Sequence, residues 1–329
     1  MSDLRKMRKN WWKTAAYVVL GLLVFSLLNI VALPFIATTL FLNQRFERIQ
    51  HDSLHYGIES ERITLTTSDG LNLAAWRTFA TTSVVDDDSY DTASPEPRGT
   101  VIILSGIQDP SVTAFFGHSH MLAEHSWDTL LIEKRARSLS EGESIGLGFT
   151  EWKDVQAGVE YLDRDVRAGH LPIIAMGTSA GAATVLIAGA ELPRIDGIIS
   201  ISAYGDFICA YVDVVNRIGV PRIIVDASRP IMQWNLTRHF GEDEVQRTPL
   251  NAMGNLTARP VLLMQSTEDW QVTFEQFENL RDKAQYSGVQ LSTFVREGDW
   301  HFVVYNQFFA TPAHDHEFTH AIIDFLDCF

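Results

Sequence analysis

Gly177-Thr178-Ser179-Ala180-Gly181 reads G-x-S-x-G, the spacing that holds a nucleophilic serine on a sharp strand-to-helix turn. The chemistry accounts for the spacing. The hydroxyl must project from a strained turn, and a glycine on either side lets that turn approach its neighbours without a Cβ clash. The apolar run Pro172-Ile173-Ile174-Ala175-Met176 leads into the motif, and the small residues from Ala180 to Ala190 lead out of it as a helix. The positive end of that helix lies where an oxyanion would develop. A serine hydroxyl is a weak nucleophile and needs an adjacent base, itself oriented by a carboxylate. Of the 11 histidines, the late ones in the chain are His301, His314, His316 and His320, with His239 ahead of them.

Such a turn needs a sheet to stand on. Val101–Leu104, Thr129–Ile132, Pro172–Met176, Ile195–Ile201, Val261–Met264 and Leu291–Val295 are apolar runs. Helical spacing falls between them, over residues 111–126, 150–168, 180–190, 273–286 and 315–327. In 150–168 the apolar face is Trp152, Val155, Val159, Leu162 and Val166. Buried runs alternating with helices of this length predict a mostly parallel sheet covered on both faces. Ahead of them, Ile63–Thr67 and Leu71–Trp76 alternate around Ser68-Asp69-Gly70, a β-hairpin with Asp-Gly at its tip. Residues 80–98 are polar and acidic and read as a surface loop. Residues 203–258, with Pro221, Pro230 and Pro249, are less regular and read as a cap-like insertion over the carboxyl ends of the strands.

On these residues the body, nearly all of 60–329 within a 50–329 domain, resembles the α/β-hydrolase fold. Within that superfamily it is similar to the membrane-anchored Bem46-like serine hydrolases. The resemblance implies a chain order of Ser, then Asp or Glu, then His. It makes His301 the base, because Gly298-Asp299-Trp300-His301-Phe302 matches the family's Gly-x-x-His-Phe. It makes Asp269 the acid, in Ser266-Thr267-Glu268-Asp269-Trp270-Gln271-Val272-Thr273, although Ser266 stands where glycine is usual and Thr273 where proline is usual. Glu268 and Asp206 remain alternatives, and Asp269 could instead serve the dipole of the helix near 273. The implied oxyanion donors are the backbone N–H groups of Ile107 and Ala180. The family's His-Gly before the first of these is Ser105-Gly106 here. Its Asp-x-Arg-Gly-His-Gly-x-Ser-x-Gly segment is Glu133-Lys134-Arg135-Ala136-Arg137-Ser138-Leu139-Ser140-Glu141-Gly142, which lacks two glycines and the histidine.

The 329 residues, 46% hydrophobic and 20% charged, exclude a disordered or fibrous chain. A net charge of −15 argues against nucleic-acid binding. The N-terminus differs from the body: residues 1–48 carry seven basic and two acidic side chains. From Thr14 to Leu42 there are 29 positions without a charge, more than the ~20 a helix needs to span a bilayer. Trp11, Trp12 and Tyr17 suit an interfacial belt. The run is too long for a signal peptide's core and no A-x-A follows it. Residues 1–13 are therefore expected to be a cytoplasmic basic tail, 14–42 an uncleaved transmembrane anchor, and the body extracytoplasmic. There Cys209 and Cys328 could pair, and Asn235 and Asn255 head glycosylation sequons.

Other signals carry less. His314, His316 and His320 have metal-like spacing without a neighbouring Glu placed as in H-E-x-x-H, and read as a solvated helix face. His118, His120 and His125 read as idle or capping. Met232, Trp234 and Phe240 read as core or pocket wall. No G-x-G-x-x-G follows the first buried run, so no dinucleotide site is indicated. The expected protein is a membrane-anchored serine hydrolase of a small or lipid-like acyl ester or thioester, needing neither cofactor nor metal. A serine peptidase on the same fold and an inactive membrane-tethered binding module are the alternatives.

Overall fold

The apolar runs pair side by side. The structure, a computed structural model, describes residues 2–44, 47–81, 96–107 and 111–329, with the side chains of residues 2–10, 23 and 26–30 outside that description. In chain order the elements are α1 (Ser2–Leu42), β1 (Ser60–Thr66), β2 (Asn72–Thr78), β3 (Gly99–Leu104), α2 (Phe116–Glu124), β4 (Trp127–Ile132), α3 (Trp152–Asp163), β5 (Ile173–Thr178) and α4 (Ala180–Glu191). They continue with β6 (Gly197–Ile201), α5 (Phe207–Arg217), α6 (Arg222–Phe240), α7 (Glu242–Val245), α8 (Pro249–Met253), β7 (Val261–Ser266), α9 (Phe274–Ser287), β8 (Leu291–Arg296) and α10 (His316–Leu326).

Eight strands form one sheet in the order β1-β2-β4-β3-β5-β6-β7-β8. The hairpin β1–β2 joins it antiparallel, and every pairing from β4 across to β8 is parallel. Period-two alternation explains why the central strands are apolar throughout. Ile102, Leu104, Leu130, Ala175 and Leu263 pack on one face with residues of α3, α4, α8 and α9. Val101, Ile103, Leu131, Met176 and Ile199 pack on the other with residues of α2 and α10. The Asp-Gly tip closes with Gly70 at φ 88° and mutual hydrogen bonds between Thr67 and Leu71.

Three segments differ from the sequence reading for local reasons. Val112–Phe115 is a 3-10 turn, and α2 begins only at Phe116. α3 stops at Asp163, because Asp165 Oδ1 accepts the N–H groups of Arg167 at 2.7 Å and Ala168 at 3.1 Å and turns the chain. Val166, read as part of the apolar face, is consequently 96% exposed. Residues 203–258 are more regular than their prolines imply. Pro221 precedes α6, Pro249 opens α8, and Pro230 lies inside α6. A proline without an N–H fits the start of a helix well. Of the acidic 80–98 loop, residues 82–95 lie outside the described residues.

α1 runs through the uncharged stretch, with Pro34 inside it. Among the described residues no helix is long and apolar enough to cross a membrane. The expected anchor at 14–42 includes residues 23 and 26–30, whose side chains are not described. Its last turns pack against the body. Leu42 is buried and its carbonyl accepts the N–H of Ile145. Asn235 donates its amide to the Phe35 carbonyl at 3.2 Å and Thr39 Oγ1 at 3.1 Å, so this sequon's side chain is committed to the α1–α6 contact. Cys209 and Cys328 are both free thiols.

The loop after β8 is clamped by a buried ion pair. Arg296 donates through both terminal nitrogens to Asp315, each at 2.7 Å, and Asp315 also accepts the N–H groups of Tyr305 and Phe318. Burial pushes the Asp315 carboxyl up, but Arg296 and the two amides outweigh it and hold it below the ordinary carboxylate value. A group depressed in the folded state stabilises above its unfolded pKa of about 3.9, and that contribution is lost as pH falls through the folded value. Asp315→Asn leaves the buried Arg296 with only the exposed Glu317 carboxylate, 3.7 Å away, a change expected to cost about 3 kcal/mol near neutral pH. In urea unfolding, the gap between wild type and Asp315→Asn should narrow as the pH is lowered below 4.

Candidate active site

Ser179 stands at the carboxyl end of β5, at the turn into α4. Its φ of 53° with ψ −119° is a conformation that L residues rarely adopt. The flanking glycines make it possible. A Cβ on Gly181 would lie 2.5 Å from the Leu104 carbonyl oxygen, and one on Gly177 would lie 2.3 Å from the carbonyl carbon of Gly181. The Ser179 N–H donates to the Ile201 carbonyl at 2.8 Å, tying the turn to the end of β6. Ala180 is the first residue of α4, so its N–H has no acceptor within that helix.

The other candidates sit at the same edge of the sheet, because β3, β5, β6, β7 and β8 run parallel. Ile107 follows β3. Its carbonyl accepts a hydrogen bond from Nη2 of Arg137, a buried guanidinium. Arg137 occupies the position where the resembled family has histidine. Ala136 and Ser138, where that family has glycines, keep left-handed φ values of 58° and 39°. The loop shape survives without glycine because Ala136 N–H donates to Glu141 and Ser140 N–H to Arg137, while Ser138 Oγ accepts the N–H of Arg48.

Asp269 follows β7 and His301 follows β8. Nδ1 of His301 lies 2.8 Å from Oδ2 of Asp269. An ionised carboxylate can only accept, so Nδ1 carries the proton and the neutral ring has its lone pair on Nε2. Oδ1 of Asp269 accepts the N–H groups of Gln271 at 2.8 Å and Val272 at 3.1 Å. Burial pushes the Asp269 carboxyl up, but the hydrogen bond from His301, the attraction to that ring when it is protonated, and these amides bring it below the ordinary value. The two loops are also stitched together. Ser266 Oγ donates to the Trp300 carbonyl at 2.8 Å, and Glu268 N–H donates to Gly298. Ser266, where the resembled family has glycine, thus supports the loop that carries His301.

Of the three acids considered, Asp269 is the one that pairs with His301. Asp206 caps α5, accepting the N–H of Cys209 at 2.9 Å, and Glu268 is exposed. His118 is buried against Phe115 and Phe309, and burial lowers its pKa to about 3, so it is a neutral core residue. Among the described residues no group of three or more His, Cys, Asp or Glu side chains could hold a metal ion.

A cavity of about 230 Å³ opens at Ser179, lined among others by Ile107, Tyr204, Trp270, Val272 and Phe41. Three contributors were not legible in the sequence. Phe41 comes from α1, read there as anchor alone. Arg137 holds the Ile107 carbonyl from a segment read as structural. Arg217 at the end of α5 donates to the Asp269 carbonyl at 2.9 Å, linking the insertion to the acid loop. No spacing signal marks a cationic side chain whose partner is a distant backbone carbonyl.

The strand order is that of the α/β-hydrolase fold. An esterase of Pyrococcus furiosus superposes with a TM-score of 0.64 at 17% identity, covering 87% of this chain and 98% of that one. An acylaminoacyl peptidase of Pyrococcus horikoshii gives 0.58 at 14% identity, over 85% of this chain and 43% of that one. A puromycin hydrolase gives 0.61 at 17% identity, over 82% of this chain and 40% of its own length. No family model matches the chain, and no curated protein matches it.

The short Asp269–His301 contact should place the Nδ1 proton far downfield in a proton NMR spectrum of the full-length protein. Asp269→Asn should remove that resonance while leaving the melting temperature nearly unchanged, since the side chains are close to isosteric. A resonance that persists in Asp269→Asn but vanishes in Asp206→Asn would reassign the acid.

Proposed function

We propose that this protein is a serine hydrolase that cleaves acyl esters or thioesters through Ser179, His301 and Asp269. The observation that carries the reading is the pairing of a strained serine turn with a hydrogen-bonded His–Asp couple at the same edge of one mostly parallel sheet. Ser179 Oγ attacks the acyl carbonyl while Nε2 of His301 takes its proton. The N–H groups of Ala180 and Ile107 hold the oxyanion of the tetrahedral intermediate. Asp269 stabilises the imidazolium, which then gives its proton to the departing alcohol or thiol. Water repeats the sequence on the acyl-enzyme and releases the acid and the free serine. Arg137 acts through Ile107, and Arg217 through Asp269, as positioning residues.

The apolar wall given by Phe41, Ile107, Phe207 and Val272 supports an acyl group over a peptide backbone, whose amides would need partners. A peptidase is the second reading, supported by the likeness to the acylaminoacyl peptidase. Substitution separates these from an inactive binding module. Ser179→Ala removes one oxygen from a turn tip, so it should abolish nearly all hydrolysis of short p-nitrophenyl esters and leave the melting temperature unchanged. His301→Ala should do the same, and the double variant should be no worse than either single one, since the pair acts as a unit. Esterase activity that survives in Ser179→Ala would overturn the assignment.

The proposal extends to attachment at a membrane, as in the Bem46-like group. Its support is the uncharged 14–42 stretch of α1, with Tyr17, Val18, Leu20 and Leu22 exposed, behind a basic tail. With that orientation, protease added to spheroplasts should digest the body and spare the N-terminal tail. A fully protected body would reverse it.

A further inference from the structure

A second cavity, of about 400 Å³, lies between α1 and the insertion helices α5 and α6. Its walls include Phe25, Pro34 and Ala37 from α1 and Tyr211, Val220 and Val225 from the insertion. Tyr211 also lines the Ser179 cavity, so its side chain stands between the two spaces. One stripe of α1 follows both. Phe41 borders the serine cavity, and Ala37, Pro34, Leu33 and Phe25 continue at near-helical intervals along the cleft. From Phe41 to Phe25 is sixteen residues of helix, or about 24 Å of rise.

The lining leaves a polar ligand little to bind. The Ser228 hydroxyl points back to its own helix, donating to the Val225 carbonyl at 2.6 Å. Apart from Tyr211, the remaining wall is hydrocarbon. A peptide or sugar in this cleft would lose its hydrogen bonds to water without replacement, whereas a hydrocarbon chain gains from burial. At its far end the cleft reaches Phe25, beside the exposed apolar residues Leu22 and Val24 of α1.

We propose that this cleft is the acyl-chain site of the enzyme, holding the tail of a long-chain ester whose carbonyl lies at Ser179. The proposal rests on the serine-hydrolase reading and names its substrate class: single- or double-chain amphiphiles of the kind a bilayer contains, in place of short water-soluble esters. The chain enters along α1, so the helix that would tether the protein also forms one wall of its substrate site.

The test compares rates of labelling by two fluorophosphonates, one with a methyl and one with a dodecyl chain. Both are used below their micelle-forming concentrations on the full chain. Each buried methylene should raise the labelling rate constant about two- to fourfold until the cleft is full, so the dodecyl probe should react far faster. Ala37→Trp fills the cleft and should cut the dodecyl-to-methyl ratio by at least tenfold. Val220→Trp, from the opposite wall, should act alike and covers the case in which one variant fails to fold. Labelling of Ser179 at equal rates by the two probes, or a ratio untouched by both substitutions, overturns the cleft and leaves the serine assignment standing. Failure of both probes to label the wild type overturns the hydrolase reading itself, and the cleft proposal with it.

Discussion

The backbone at Ser179 is the constraint on which the rest depends. A non-glycine residue held at positive φ costs on the order of 1–3 kcal/mol and persists only where its surroundings over-determine it. Here they do so from three sides. Gly181 lets the first turn of α4 press onto the carbonyls of Leu104 and Ser105 at the end of β3. Gly177 lets the strand end lie against that same turn, and the Ser179 N–H is fixed on β6. The small residues of α4 carry the close approach onward, since a Cβ on Gly189 would fall 2.3 Å from the Ile198 side chain. A serine presented this way is exposed to the cavity because the helix behind it is packed too tightly to let it turn back.

Around that fixed point the other groups are held by neighbours on adjacent strands. The loops that carry Asp269 and His301 hydrogen-bond to each other. The Arg296–Asp315 ion pair anchors the base loop to α10 from behind. The insertion reaches the Asp269 loop through Arg217, and the Ile107 segment is held through Arg137. Arg137 and Arg217 each hold a backbone carbonyl beside the candidate residues.

Much of this was legible in the sequence, for identifiable reasons. The central strands are buried on both faces, which leaves continuous apolar runs. The serine turn needs glycine at two fixed positions, which leaves a motif. The pairing of Asp269 with His301 was implied by family likeness in short segments, and the geometry shows why Ser266 can replace glycine there. What could not be read follows from long-range contact. The absence of charge marks 14–42 as apolar but does not say that Phe41 faces the serine cavity while Asn235 grips Phe35 and Thr39. The regularity of 203–258 was hidden by three prolines, of which Pro221 and Pro249 mark helix starts. Val166 kept the period of α3 but fell beyond the turn that Asp165 imposes.

The central claim is that Ser179 is the activated nucleophile. Its most direct test is peptide mapping by mass spectrometry of the wild-type full chain after reaction with a fluorophosphonate. The account predicts one adduct per chain, on the serine of Gly177-Thr178-Ser179-Ala180-Gly181. An adduct on another serine, or none at all, would contradict it.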